Sequence, residues 1–147
     1  MVEIRRAVAA DVPAIVAMLA DDPLGARRER PGDAAYASAF AEIDADPRQF
    51  LAVAVAEGEV VGTLQLTFVP GLSRLGSTRV LIEAVRVRSD QRGNGLGGSL
   101  IQWAIEAARS RGAALVQLTT DASRRDAHRF YERLGFEATH VGMKLVL

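Results

Sequence analysis

The segment Val85-Arg86-Val87-Arg88-Ser89-Asp90-Gln91-Arg92-Gly93-Asn94-Gly95-Leu96-Gly97-Gly98 decides the fold, because it joins a strand-like run to a helix-like run. Residues 80–88 are apolar enough for a strand, and residues 94–111 carry apolar side chains at helical spacing. Four glycines within six positions let a ligand approach the backbone closely, and successive amides at a helix N-terminus suit a phosphate. We therefore predict that this turn binds a phosphate group. The alternative is a structural turn that only connects the strand to the helix.

Two other phosphate-binding motifs fit this turn less well. A Walker loop requires a lysine after its last glycine, and none is present here. The dinucleotide fingerprint is matched by Gly93, Gly95 and Gly98, with Asp121 at about the expected distance. However, residues 89–93 separate the strand from the glycines, and the chain beyond Asp121 is too short for the remaining strand–helix–strand units. An oxidoreductase that binds a nicotinamide dinucleotide stays a minor alternative.

Outward from this turn, the pattern predicts the element order β-α-α-β-β-β-α-β-α-β-β. Residues 50–56 and 60–69 form a hairpin around a Glu-Gly-Glu turn, and residues 136–138 and 141–146 are predicted as closing strands. Hairpins first and a strand–helix–strand unit later indicate an α/β (α+β) fold. We expect one domain over residues 1–147, with a mixed, mostly antiparallel sheet of about six to seven strands and helices on both faces.

The composition limits the class of protein. The 147 residues contain 18 Lys+Arg and 18 Asp+Glu, but residues 1–60 carry a net charge of −5 and residues 61–147 one of +5. This balance argues against a nucleic-acid binder. Without cysteine the chain has no disulfide scaffold and no cysteine nucleophile, and its two histidines are not at metal-ligand spacing. Since neither a membrane helix nor a signal peptide is evident, we expect a cytoplasmic protein without metal, membrane or nucleic-acid partners.

Two motifs resemble the signatures of the GNAT-type N-acetyltransferase family. One is Arg92-Gly93-Asn94-Gly95-Leu96-Gly97 at the strand-to-helix turn, and the other is Phe130-Tyr131-Glu132-Arg133-Leu134-Gly135-Phe136. They occur in the family's order, with one strand between them. The sharp motifs cover residues 80–136, whereas the N-terminal third resembles the family only by layout.

The resemblance implies acetyl-CoA as co-substrate and a primary amine, on a small molecule or peptide, as acceptor. In this family the fourth strand, here residues 80–88, splays from the fifth, here residues 115–119, and acetyl-CoA enters the gap. The backbone of Val85 and Val87 would then pair with the pantetheine arm, although simple core packing is the alternative. The pyrophosphate would bind the backbone amides of Arg92, Gly93, Asn94, Gly95, Leu96, Gly97 and Gly98. Tyr36 and residues 27–30 fall where the fold shapes the acceptor pocket, and homodimers are common in the family.

The resemblance also suggests an acid–base pair for direct attack of the amine on acetyl-CoA in a ternary complex. Glu83 is the candidate base, because a carboxylate among aliphatic side chains keeps its proton to higher pH. If pairing is regular, Leu81, Glu83, Val85 and Val87 share one face of the strand. The alternative for Glu83 is an edge salt bridge to Arg86. Tyr131 is the candidate acid for the leaving sulfur, with a half-buried core tyrosine as the alternative. A non-catalytic acyl-CoA-binding sensor is the competing function.

Overall fold

The computed structural model describes all 147 residues, which form two compact units, residues 1–117 and 118–147. The strands are β1 (Val2–Arg6), β2 (Gln49–Ala56), β3 (Glu59–Pro70), β4 (Thr78–Val87) and β5 (Leu115–Leu118). The helices are α1 (Val12–Ala20), α2 (Gly25–Arg28), α3 (Ala35–Ala45), α4 (Ser73–Gly76), α5 (Leu96–Ser110) and α6 (Arg125–Arg133). None of these helices is long and apolar enough to cross a membrane.

One mixed sheet holds the five strands in the order β1-β2-β3-β4-β5. Neighbours from β1 to β4 are antiparallel, and β5 runs parallel to β4. This is not the doubly wound parallel sheet of a dinucleotide-binding domain. The predicted sheet class is confirmed, but the expected count of six to seven strands is wrong.

The two missing strands are residues 136–138 and 141–146, which adopt no regular structure. A strand exists only where its amides and carbonyls pair with a neighbouring strand. The ladder partners of the sheet all lie before residue 119, and residues 136–147 pair with none of them. The apolar alternation in this segment therefore identified strand-forming residues without identifying a partner.

Helices pack on both faces of the sheet, as predicted. On one face, Gly62 lies so close to α5 that an added Cβ atom would stand 2.9 Å from Leu100 Cδ1. Since side chains alternate along β3, the fully buried Leu64 and Leu66 point the same way. Thr63 and Gln65 point to the opposite face, where α1 and α3 lie.

Helix α5 forms as its apolar stripe predicts. Its buried side chains recur at helical spacing and are at most 7% exposed (Leu96, Leu100, Ile101, Ala104 and Ala108). The helix begins after Gly95, whose φ of 79° is left-handed, and ends before Gly112 at φ 74°. Both are conformations that glycine adopts without steric cost.

Asp11 anchors the start of α1 in a way that its sequence position does not reveal. Asp11 is the N-cap residue of α1, but its carboxylate accepts no hydrogen bond from the amides of the helix. Instead it accepts hydrogen bonds from the Arg5 guanidinium at 2.8 and 3.2 Å and from the Val8 amide at 2.8 Å. The bond from Arg5, helped by that from Val8, holds the pKa of the buried Asp11 carboxyl below its usual value although burial opposes this.

Candidate functional site

The turn before α5 carries a row of backbone amides that have no acceptor within the protein. Gly93 at φ 85° and Gly95 at φ 79° set the path of the loop. None of the amides from Arg92 to Gly98 donates to a protein acceptor, and the helix has no side-chain cap. Arg92, Gly93, Asn94 and Gly95 are exposed. Amides at a helix N-terminus carry partial positive charge, which suits a phosphate, and binding of a phosphate at this turn stays a prediction.

Two arginines lie at the start of this amide row: Arg88 precedes it, and Arg92 is its first residue. They differ in how strongly their guanidinium groups are paired with carboxylates. Arg88 donates to Asp90 at 2.6 and 2.9 Å and to Glu59 at 3.1 Å, which raises its pKa further above the usual range. Arg92 donates from Nε to the Val87 carbonyl at 3.2 Å, and its Nη2 lies 3.9 Å from Asp21. Because Arg92 is 54% exposed and loosely paired, it is the cation better placed to meet an anion.

Strand β4 contains a bulge, so its pairing is not regular. Glu83 lies opposite Gln65, whereas Arg86 lies opposite Thr63, which leaves one extra residue on β4. Ala84 takes this place with a left-handed φ of 53°. Thr63 and Gln65 share a face of β3, so Glu83 and Arg86 share that face as well.

This bulge corrects the expectation that Glu83, Val85 and Val87 lie on one face. Val87 is paired with Gly62, which faces Leu100 of α5, and it therefore lies on the other side of the sheet from Glu83. The prediction assumed strict alternation, which one inserted residue reverses.

The second half of β4 has no strand partner on the β5 side. The Ala114 amide donates to the Thr78 carbonyl at 2.8 Å, so β5 starts beside the first residue of β4. With only four residues, β5 is too short to follow β4 to Val87. The carbonyls of Val85 and Val87 accept instead from the side chains of Arg86 at 2.9 Å and Arg92 at 3.2 Å. The predicted splay between the fourth and fifth strands is present, with Val85 and Val87 along it.

Glu83 is exposed at the bulge and forms no ion pair. The alternative of a salt bridge to Arg86 is not realised, because Arg86 Nε lies 3.0 Å from Asp22 Oδ2. The amide of Gly25 and, less strongly, Arg86 lower the pKa of Asp22. No local sequence pattern predicts this pairing, since Asp22 and Arg86 lie 64 positions apart.

A cavity of about 170 Å³ lies between α1, α3 and the sheet, next to the bulge. No charged side chain lines it; its walls are Val12, Ile15, Val16, Leu19, Tyr36, Ala39, Phe40, Ile43, Leu51, Thr63, Gln65 and Ala84. Two of these wall residues adjoin Glu83: Ala84 follows it in the chain, and Gln65 lies opposite it on β3. Tyr36 joins the wall to the preceding loop, because its hydroxyl accepts from the Arg30 amide at 2.8 Å and donates to Glu29 at 3.0 Å.

In the unit formed by residues 118–147, Tyr131 belongs to an aromatic group on α6. Its ring centroid lies 5.0 Å from that of Phe130 and 5.8 Å from that of Phe136. Ser123, through its hydroxyl and amide, lowers the pKa of Asp121 in the turn before this helix. The half-buried Tyr131 therefore has the packing of a core tyrosine, which does not conflict with a role for its hydroxyl.

Comparison with known proteins relates the whole chain to acetyltransferases. A family model described as the acetyltransferase (GNAT) family matches residues 13–136. An aminoalkylphosphonate N-acetyltransferase of Salmonella typhimurium is 39% identical over 106 residues, covering 72% of this chain and 68% of that protein. An L-methionine sulfoximine/L-methionine sulfone acetyltransferase of Pseudomonas paraeruginosa is 34% identical, covering 96% of this chain and 86% of that protein. A crystal structure of a protein described as a transcriptional regulator from Bacillus halodurans C-125 superposes with a TM-score of 0.97 at 49% identity, and covers 100% of both chains.

Proposed function

The chain belongs to the GNAT family of acetyltransferases, and we propose that it transfers the acetyl group of acetyl-CoA to a primary amine of a small molecule. The observation that carries this proposal is the row of unpaired amides from Arg92 to Gly98 beside the unpaired half of β4. The amides suit the pyrophosphate of CoA, and the outward backbone of Val85 and Val87 suits the amide groups of its pantetheine arm.

In the proposed reaction, acetyl-CoA supplies an acetyl group activated as a thioester. Glu83, directly or through a water molecule, accepts the proton that the amine loses as its nitrogen attacks. The C–N bond forms, the C–S bond breaks, and the Tyr131 hydroxyl donates a proton to the departing sulfur. No cysteine is available for an acetyl-enzyme intermediate, so direct attack in a ternary complex is the mechanism we propose.

We propose that the carbon skeleton of the acceptor enters the cavity beside Glu83. The volume of about 170 Å³ is close to that of an apolar cavity that binds benzene, so a small apolar group fits it. The two relatives act, by their names, on an aminoalkylphosphonate and on methionine sulfoximine or sulfone, which are small amines. The net charge of −5 on residues 1–60 favours a cationic amine at longer range, but the uncharged walls favour an acceptor with one amine over a polyamine.

The test is turnover of a panel of amines with acetyl-CoA, followed by release of the free CoA thiol. The chain has no thiol of its own, so enzyme background is absent. We expect small monoamines with an apolar chain to react faster than polyamines. Glu83→Gln should lower kcat by about 10²- to 10⁴-fold, the usual contribution of a general base. Tyr131→Phe should lower kcat while leaving the KM for acetyl-CoA near its original value.

The matched control is Glu57→Gln, which removes another exposed carboxylate in the turn between β2 and β3. We expect this variant to keep the original kcat. If Glu83→Gln keeps both the rate and the pH profile of the unmodified enzyme, Glu83 is not the base.

The second candidate is an acyl-CoA-binding sensor without turnover. It is favoured by one observation, that the fully superposable Bacillus halodurans protein is described as a transcriptional regulator. Acetyl-CoA would then raise the melting temperature, but no amine of the panel would release thiol. No shift with acetyl-CoA would overturn both candidates together.

A further inference from the structure

The cavity between α1, α3 and the sheet contains one side-chain polar group without a partner. Its wall has three polar side chains, Tyr36, Thr63 and Gln65. The Thr63 hydroxyl is buried and donates to a backbone carbonyl of β2 at 2.8 Å, and the Tyr36 hydroxyl is bonded to the loop before α3. The side-chain oxygen of Gln65, by contrast, accepts no hydrogen bond within the protein. This oxygen is not fully buried, so a ligand can reach it.

The side chain of Gln65 is oriented by a neighbour on β2. Its Nε2 donates to Gln49 Oε1 at 2.7 Å, and the same Gln49 oxygen accepts from the Thr67 hydroxyl at 3.0 Å. Gln49 lies opposite Thr67 in the ladder, so all three side chains share one face of the sheet. An amide group carries its nitrogen and its oxygen on different sides of one carbon atom. Because Gln49 holds the nitrogen on the β2 side, the Gln65 oxygen is directed away from β2.

Glu83 lies on the other side of Gln65, on β4. The two residues stand directly opposite each other in the ladder, on the same face of the sheet. Side chains in this relation have Cβ atoms about 4.5–5.5 Å apart. A small group in the cavity beside β4 can therefore contact the Gln65 oxygen and the Glu83 carboxylate together. Since both are hydrogen-bond acceptors, the group that contacts them must carry two hydrogens.

We infer that Gln65 is a specificity-determining residue, whose side-chain oxygen binds the acceptor nitrogen while Glu83 takes its proton; this rests on the proposed function. A primary amine attacks with two hydrogens on its nitrogen, so one passes to Glu83 and the other still donates to Gln65. A secondary amine or a hydroxyl has a single hydrogen, and giving it to Glu83 leaves the Gln65 oxygen unpaired in the transition state. A site built to hydrogen-bond its substrate discriminates strongly against an analogue that leaves its polar group unpaired. The cavity thus selects primary amines over secondary amines and hydroxyls, and Gln49 acts as a positioning residue.

The first test compares kcat/KM of Gln65→Met for the fastest primary amine of the panel and for the N-methyl derivative of that amine. Methionine keeps the length of the side chain and removes the oxygen. We expect kcat/KM for the primary amine to fall about tenfold or more, the usual effect of losing one hydrogen bond to a charged group. The values for the N-methyl derivative and the KM for acetyl-CoA should stay close to the original. The control Gln102→Met makes the same replacement at an exposed position of α5 and should change none of these values. A fall of equal size for both amines, or no fall for either, overturns the inference.

The second test concerns the contact that orients Gln65. Gln49→Met frees the Gln65 amide to rotate and should reduce the preference for the primary amine, whereas Gln49→Glu keeps an oxygen for the Gln65 nitrogen and should restore it. A Gln49→Met variant with the original preference, or a Gln49→Glu variant as impaired as Gln49→Met, overturns the orientation on which the inference depends. An unmodified enzyme that acetylates no amine of the panel overturns the proposed function and this inference together. Turnover by the unmodified enzyme with an unaltered preference in Gln65→Met overturns the inference alone.

Discussion

Replacing Gly95 with alanine tests whether left-handed backbone holds the amide row of residues 92–98 in place. Gly95 has a φ of 79°, and no atom lies within 4 Å of the position that a Cβ would take. Steric contact of the new methyl group with its neighbours therefore does not affect stability, and the whole loss of stability in Gly95→Ala comes from the backbone conformation. A left-handed conformation costs an L-residue about 1–2 kcal/mol, which corresponds to a fall in Tm of roughly 3–6 °C for a chain of this size.

Gly98 provides the matched substitution. It lies in the first turn of α5, its φ is not positive, and its Cβ position is also open. Alanine is a better helix former than glycine, so Gly98→Ala should stabilise the protein by up to about 1 kcal/mol. The same change thus has opposite signs at two positions three residues apart.

Calorimetry measures both consequences, with Tm taken from scanning without ligand and the Kd of acetyl-CoA from titration. Gly95→Ala should weaken binding by tenfold or more, because loss of one hydrogen bond to a charged group costs about 1.5–3 kcal/mol. Gly98→Ala should raise Tm whatever its effect on binding. An unchanged Tm and Kd in Gly95→Ala would refute the argument that this glycine is required for its conformation.

Three further changes address other parts of the structure. Asp11→Asn should lower the free energy of unfolding by about 1.5–3 kcal/mol, because the buried carboxylate loses its charged bonds to Arg5. The pKa of Asp11 is lowered in the folded state, so the contribution of its carboxylate to the free energy of unfolding is complete above about pH 4 and is lost as the pH falls through the folded pKa. In urea titrations, the stability of the variant should therefore depend less on pH in this acid range than that of the parent. Arg86→Met should cost about 1–3 kcal/mol in the same assay, because Asp22 is left partly buried without its cation. Tyr36→Phe should raise the KM for the acceptor several-fold and leave kcat unchanged, since the hydroxyl holds the loop beside the cavity.

Each of these changes has an outcome that contradicts it. An Asp11→Asn variant as stable as the parent at pH 7 would mean that the bonds to Arg5 are offset by desolvation. If Arg86→Met has the same free energy of unfolding as the parent, the ion pair with Asp22 makes no net contribution to stability. A fall in kcat rather than a rise in KM for Tyr36→Phe would assign its hydroxyl to the chemical step.

Local features of this protein follow from its sequence, and non-local ones do not. The helical stripe of α5 and the glycine-rich turn depend on residues within a few positions of each other, and both occur as predicted. The prediction of closing strands is wrong, because residues 141–146 have the sequence pattern of a strand, whereas strand formation also requires pairing with an edge of the sheet that is distant in sequence.

The candidate site divides in the same way. The amide row is a contiguous segment, so its residues could be named from the motif alone. The cavity wall combines Val12, Tyr36, Leu51 and Gln65 from four separate elements, and no spacing rule connects them. The sequence around Ala84 does not predict the bulge. Val80 and Ile82 alternate regularly, and the residues after them do not show where this alternation breaks.

The bulge has a consequence for the alignment of β4 along β3. If the regular pairing of Glu83 with Gln65 continued without the extra residue, Arg86 would stand opposite Gly62 and point at the fully buried Leu100. A guanidinium pressed into that aliphatic contact would lose both water and Asp22, which is costly. The strand is thereby prevented from slipping by one residue. Deletion of Ala84 should remove the bulge and still keep Arg86 opposite Thr63 and Val87 opposite Gly62, whereas insertion of a second residue beside Ala84 should turn Arg86 towards Leu100 and be far more damaging.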